Sequence, residues 1–170
     1  MKFNRLPRHI GVIPDGNRRW AEGCGFPKEA GYSKGINPGF KLYNACLDLG
    51  IEEMTFYGFT QDNTKRPVAQ RVAFQKACVE AVKLLCNKDA SLLVVGNTDS
   101  SLFPDELRPY TSRSTFGKGR MKVNFLVNYS WWWDLAHAFS GGNEISDPRS
   151  FLPKNTASKE ISRIELIIRH

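Results

Sequence analysis

The sequence has little that suits metal or redox chemistry. Its four cysteines, Cys24, Cys46, Cys78 and Cys86, form no CxxC pair, and its three histidines, His9, His137 and His170, are not at ligand spacing from any cysteine pair. That spacing excludes a Cys/His zinc site. No apolar run has transmembrane length, and Met1 to Arg5 lacks the apolar core of a secretory signal. The thiols are therefore expected to be reduced, in a cytoplasmic protein with a membrane surface as a further place of contact. GxGxxG does not follow the first apolar run, which argues against a generic Rossmann-type nucleotide enzyme. Repeats, low-complexity tracts and linkers are also missing, so residues 1–170 read as one domain.

What is present is a globular, basic composition. Hydrophobic residues make up 41% and aromatics 12% of the chain, enough to build a core. There are 24 Lys and Arg against 17 Asp and Glu, a net charge of +7. A surplus of this size implies an anionic partner: nucleic acid, an anionic membrane surface or a phosphorylated small molecule. Short Ile/Val-rich runs alternate with longer helix-compatible segments. Strands are expected at His9 to Ile13, Met54 to Phe59, Ser91 to Val95, Lys122 to Val127 and Ile164 to Ile168. Helices are expected at Asn17 to Gly23, Tyr32 to Leu49 with a break at Pro38-Gly39, and Pro67 to Leu85 with an apolar side of Val72, Cys78, Val79, Val82 and Leu85. Others fall near Pro104 to Phe116 and from Trp132 to just before Gly141-Gly142, and Ser146 to Ser158 reads as loop. The fold class is α/β, a mostly parallel twisted sheet flanked by helices. In such sheets ligands bind beyond the carboxyl ends of the strands. Asp15, the Thr60 to Arg66 loop, Asn128 and Arg169 all fall there.

The richest stretch is His9-Ile10-Gly11-Val12-Ile13-Pro14-Asp15-Gly16-Asn17-Arg18-Arg19-Trp20-Ala21. It reads as strand, tight turn and helix start. Asp15 puts a metal-competent carboxylate at the strand end, and Gly16 lets a ligand approach the backbone. Asn17 can cap the helix, whose N-terminus favours anions. Arg18 and Arg19 add guanidinium forks suited to phosphate oxygens. The combination suits a phosphorylated ligand with its cation, although Asp-Gly after a strand is also ordinary turn chemistry.

Three further stretches carry polar groups at strand ends. Tyr57-Gly58-Phe59-Thr60-Gln61-Asp62-Asn63-Thr64-Lys65-Arg66-Pro67 offers a hydroxyl, a carboxylate, an amide and two cations, and by composition alone equals a hydrophilic loop. In Asn128-Tyr129-Ser130-Trp131-Trp132-Trp133-Asp134, three successive tryptophans cannot all face inward on a helix, so at least one belongs on a groove, an interface or a lipid-facing surface. The last stretch is Ile164-Glu165-Leu166-Ile167-Ile168-Arg169-His170.

Together, in order from about Arg8 to Arg169, these stretches resemble the cis-prenyltransferases, the undecaprenyl diphosphate synthase family. The first matches the family's signature segment. The second is similar to its aromatic-x-Phe-Ser-x-Glu-Asn-Trp-x-Arg-Pro motif, with Asn63, Arg66 and Pro67 matching and Thr60, Asp62 and Thr64 standing for Ser, Glu and Trp. The third resembles Asn-Tyr-Gly-Gly-Arg-Trp-Asp-Ile, with Trp132 in place of the Arg. Gly25 to Tyr32 aligns with a segment that usually offers Arg and His near a diphosphate, here Lys28 and Tyr32. The resemblance implies an isoprenyl transferase that condenses isopentenyl diphosphate with an allylic diphosphate such as farnesyl diphosphate, with Mg²⁺ at Asp15. It implies catalytic roles for Asp15 and Asn63, the latter in proton removal. Substrate contacts are implied for Gly16, Asn17, Arg18, Arg19, Trp20, Lys28, Tyr32, Thr60, Gln61, Asp62, Thr64, Arg66 and Arg169. It further implies an apolar tunnel lined by the Tyr32 to Leu49 and Val68 to Leu85 helices, and a homodimer.

Family members continue past Arg169 with a Gly-Gly-Glu turn, further diphosphate-binding residues and a dimerisation segment. The expectation is therefore a C-terminally incomplete domain, either a fragment or a shortened member. Two other classes remain open: a non-catalytic partner subunit, suggested by Trp132 and the missing end, and a single-strand nucleic-acid binder, suggested by charge and Trp131 to Trp133. The basic residues are dispersed and match no nucleic-acid motif, so nucleic acid is not the expected partner.

Overall fold

The computed structural model describes residues 5–140 and 147–169. Six strands form one sheet: β1 (His9–Ile13), β2 (Glu53–Tyr57), β3 (Ala90–Val95), β4 (Ser114–Thr115), β5 (Met121–Leu126) and β6 (Leu166–Arg169). Among the described residues six α-helices flank it: α1 (Asn17–Gly23), α2 (Ala30–Lys34), α3 (Ile36–Asp48), α4 (Val68–Leu85), α5 (Trp131–Phe139) and α6 (Pro148–Asn155). The strand order is β4-β3-β5-β2-β1-β6, parallel throughout except for the short antiparallel β4 against β3. The chain leaves β1 toward β2 on one side and returns to β6 on the other. That reversal makes β1 the switch point, where a crevice opens at the strands' carboxyl ends.

Alternate residues of each strand face opposite layers. Ile10, Val12, Met54, Phe56, Leu92, Val94, Val123 and Phe125 pack with Tyr43 and Cys46 of α3 and Cys78, Val82 and Leu85 of α4 in one hydrophobic cluster. Those two helices are thus packed onto the sheet. On the other face Leu93, Val95 and Leu126 pack under Trp133, Ala157 and Ile161. Among the described residues no helix is long and apolar enough to cross a membrane.

Several boundaries differ from the sequence reading for identifiable reasons. The break between α2 and α3 falls at Gly35, not at Pro38-Gly39. Pro38 sits in the first turn of α3, where its missing N–H costs nothing. Val72 is exposed, and Phe74 replaces it on the inward side of α4. The expected helix after Pro104 is a 3₁₀ helix, Asp105–Tyr110, carrying Pro109. The expected loop from Ser146 contains α6, started by Asp147, whose carboxylate accepts from the N–H groups of Arg149 (3.1 Å) and Ser150 (3.2 Å), with Pro148 at the first helical position. The stop at Gly141-Gly142 lies outside the described residues.

The amino half of the second face is polar and buried. His9 Nδ1 donates to the Ser162 carbonyl (3.0 Å), so Nε2 is the acceptor for the Thr55 hydroxyl (2.8 Å). Asn124 Nδ2 donates to Thr55 Oγ1 (2.9 Å) and to Glu53 Oε1 (2.7 Å). Burial pushes His9 down, against the pull of Glu53. Burial pushes Glu53 up, but the Ser162 and Asn124 hydrogen bonds and His9 together outweigh it, and the net shift is downward. Both groups therefore bind protons more readily in the unfolded chain. The stability owed to His9 is complete above its ordinary value of 6.5 and is lost as pH falls below it. That owed to Glu53 is lost as pH falls from 4.5 through its lower folded value. Urea midpoints are expected to be level above pH ~7 and to decline continuously toward pH ~4. His9→Gln should flatten the upper part of that decline.

Candidate active site

β1 ends at Ile13, and the chain must turn sharply to start α1. Gly16 makes the turn with φ +88°, a left-handed conformation in which a side chain would be strained. Gly16, not Asn17, is the N-cap residue, and Asn17 is the first residue of α1. The turn leaves Asp15 at the mouth of a cavity of about 550 Å³, at the carboxyl ends of β2, β1 and β6.

Asp15 is held by three donors, and its side chain remains 39% exposed toward the cavity. Arg169 Nε (3.1 Å) and Nη2 (2.7 Å) both donate to Oδ2, the Gly16 N–H donates to Oδ1 (2.7 Å), and Arg19 Nη2 stands 3.6 Å from Oδ1. The Arg169 hydrogen bonds first, then that of Gly16, hold its carboxyl below the usual carboxylate range. It is ionised at neutral pH. Lys28 pairs with Glu22 at 3.0 Å. Arg66 Nη1 donates to the Tyr32 hydroxyl at 2.9 Å. Asn63 Nδ2 donates to Thr60 Oγ1. Tyr57 stays protonated, pushed up by burial and then by the charge of Asp62. The charged lining comprises five cations, Arg18, Arg19, Lys28, Arg66 and Arg169, against Asp15 and Glu22. Such a cavity concentrates anions.

Eleven of the anticipated residues line this cavity: Asp15, Gly16, Asn17, Arg18, Arg19, Lys28, Tyr32, Thr60, Asn63, Arg66 and Arg169. Four do not. Trp20 lies past Arg19 on the outer side of α1 and stacks on Phe26, ring centroids 6.4 Å apart. Gln61 turns toward α5, where its Oε1 accepts from the Ser130 hydroxyl (2.8 Å). Asp62 is in solvent, paired with Lys65 at 3.2 Å. The Thr64 hydroxyl donates to the Gln61 carbonyl (2.6 Å) and closes the 3₁₀ turn Gln61–Lys65. Asn128 is also away from the cavity, buried with φ +52° and donating to the Asn97 carbonyl (3.1 Å).

Sequence reasoning assigned no site role to Ile13, Pro14, Glu22, Tyr57, Gly58 and Phe74, which complete the lining. Phe74 had a signal: it shares the helical stripe of Cys78, Val82 and Leu85. Tyr57 follows from strand alternation with Phe56. Nothing in the sequence marks Glu22.

No three His, Cys, Asp or Glu side chains meet among the described residues. A closed metal site is therefore not built from protein groups there. A single ionised carboxylate facing a cationic cavity fits magnesium, which takes one or two carboxylates and completes its shell with phosphate oxygens and water.

The family model described as "Putative undecaprenyl diphosphate synthase" matches residues 13–170. The chain belongs to this prenyltransferase family. An isoprenyl transferase of Chlorobaculum tepidum is 38% identical over 141 residues, which are 78% of this chain and 52% of that protein. The ditrans,polycis-undecaprenyl-diphosphate synthase ((2E,6E)-farnesyl-diphosphate specific) of Vibrio parahaemolyticus is 34% identical over 140 residues, 78% of this chain and 55% of that protein. The chain thus spans about half the length of the curated relatives it matches. Lavandulyl diphosphate synthase from Lavandula x intermedia, solved with dimethylallyl diphosphate, superposes with a TM-score of 0.79 at 18% identity. That match covers 96% of this chain and 77% of the lavender chain, and shows that the prenyltransferase family fold extends over nearly all of it.

Proposed function

We propose that this chain carries the diphosphate-handling part of an isoprenyl transferase, which joins isopentenyl diphosphate to an allylic diphosphate such as farnesyl diphosphate and yields a cis-polyprenyl diphosphate. One observation carries the reading: Asp15 and five cations line one cavity where the ends of β2, β1 and β6 meet. Residues 1–170 are read as a single transferase domain.

In this reading the allylic diphosphate lies against the Gly16 turn, with Arg18 and Arg19 on its oxygens. Guanidinium groups fixed before the ligand arrives stabilise the charge that builds on the departing diphosphate. Asp15 is the residue that would hold Mg²⁺, which supplies Lewis-acid polarisation of phosphate oxygens when bound. Arg66 and Arg169 receive the second diphosphate, and Lys28 adds charge at the mouth. Asn63, anchored to Thr60, stands by the carbon that loses its proton. A neutral amide is a weak base, so Asn63 is assigned to steering that proton toward a diphosphate oxygen or water. The homodimer and the membrane surface belong to the same reading. Exposed Trp132, Phe139, Leu166 and Ile167 supply the apolar area for them.

The test is incorporation of radiolabelled isopentenyl diphosphate into solvent-extractable product, with farnesyl diphosphate as starter and magnesium present. Product formation that chelation abolishes is the expected result. Binding of both diphosphates without turnover would favour the non-catalytic partner subunit, and absence of binding would remove the proposal.

A further inference from the structure

Arg66 stands at the end of the polar loop, just before α4, and its guanidinium is gripped from two helices. From α2, the Tyr32 hydroxyl accepts from Arg66 Nη1 at 2.9 Å. From α4, the Phe74 ring lies under the guanidinium, 5.6 Å from its central carbon. The two aromatic rings are themselves stacked, centroids 4.6 Å apart and planes 4° from parallel. Phe59 closes the stack edge-on at 5.6 Å and is fully buried. Tyr32 is only 5% exposed although it lines the cavity.

We infer that Tyr32 is a positioning residue: with Phe74 as its platform it holds the Arg66 guanidinium in place before a diphosphate arrives. The inference rests on the reading above, in which Arg66 meets a diphosphate. An unrestrained arginine loses rotamer freedom when it binds, and that loss subtracts from affinity. Here the side chain is already ordered by one hydrogen bond and one cation–π contact, both of which leave its remaining N–H donors for phosphate oxygens. Tyrosine also does this without adding charge. An imidazole at the same place would protonate near neutrality and repel Arg66.

The consequence is a specific energetic coupling. Tyr32→Phe keeps the ring, the stack and the burial but removes the acceptor. Inorganic diphosphate binding, measured by calorimetry at fixed salt, should weaken about tenfold in Tyr32→Phe, with an unchanged melting temperature. Arg66→Ala should weaken it more. The double variant should match Arg66→Ala alone, because the hydroxyl acts only through the guanidinium.

Three results overturn the inference. Losses in Tyr32→Phe and Arg66→Ala that multiply in the double variant would show that Tyr32 acts independently of Arg66. An unchanged affinity in Tyr32→Phe would show that the hydroxyl holds nothing. Full affinity in Arg66→Ala would remove Arg66 from the site while leaving Asp15, Arg18 and Arg19 as the diphosphate site. Failure of the unaltered chain to bind diphosphate at all would instead remove the functional reading, and this inference with it.

Discussion

Asp15→Ala is expected to lower isoprenyl transfer by about 10²–10³-fold, the scale on which a single preorganised charge contact acts at a reacting centre. The label-incorporation assay reads it directly, and Asp15→Asn separates charge from shape. Asparagine keeps the size and can still accept from the Gly16 N–H, yet it cannot neutralise a cation, so it should be nearly as slow. The fold should survive both changes. Asp15 and its partners Arg19 and Arg169 are all substantially exposed, and exposed ion pairs contribute little to stability. A circular-dichroism melt should therefore superpose on that of the unaltered chain. Arg169 would lose its partner and become free to meet anions, so diphosphate binding without metal should be retained. Turnover near normal in either variant would take Asp15 out of the chemistry.

The second large effect concerns packing. Gly31 lies where α2 crosses α1, and a β-carbon there would collide with the backbone carbonyl of Asn17 and sit 3.3 Å from Cβ of Ala21. A main-chain carbonyl in the first turn of a helix cannot swing aside as a side chain can. Gly31→Ala should therefore push the two helices apart at a cost of about 3 kcal/mol, a fall of about 6–12 °C in melting temperature for a chain of this size. Function should suffer as well, because α1 carries Arg18 and Arg19 while α2 carries Tyr32. Diphosphate affinity should fall even where the variant remains folded. A melt within about 2 °C of the parent would show that the helix crossing yields more easily than its geometry suggests.

Much of this arrangement was readable before any coordinates, for physical reasons. Ile and Val runs ending in Pro14 or Gly96 mark the buried parallel strands, and the strand ends then place Asp15 and Arg169 side by side. Local signals failed where two rules compete. Pro38 is a strong breaker in isolation, but it falls in a first turn that tolerates it, and the lone Gly35 makes the break instead. The loop reading of Ser146 to Ser158 missed α6, which carries Pro153 within it, although Asp147 and Pro148 together spell a helix start. In the loop after β2, alternation of direction within the 3₁₀ turn decided which polar groups face the cavity. Thr60 and Asn63 face it and Gln61, Asp62 and Thr64 do not, a distinction that composition cannot carry. The pairing of Tyr32 with Arg66 joins positions 34 residues apart, and no motif spacing expresses such a contact.

The clasp between Asp15 and Arg169 spans 154 positions of sequence. While the chain is being made, the loop after β1 leaves the ribosome 154 residues ahead of Arg169. Until β6 docks beside β1, the carboxylate has only its near neighbours Gly16 and Arg19. The anion-binding cleft is therefore finished only once β6 has been made and has docked beside β1. A polypeptide interrupted before that point would be expected to carry the signature loop without a working receptor for phosphate.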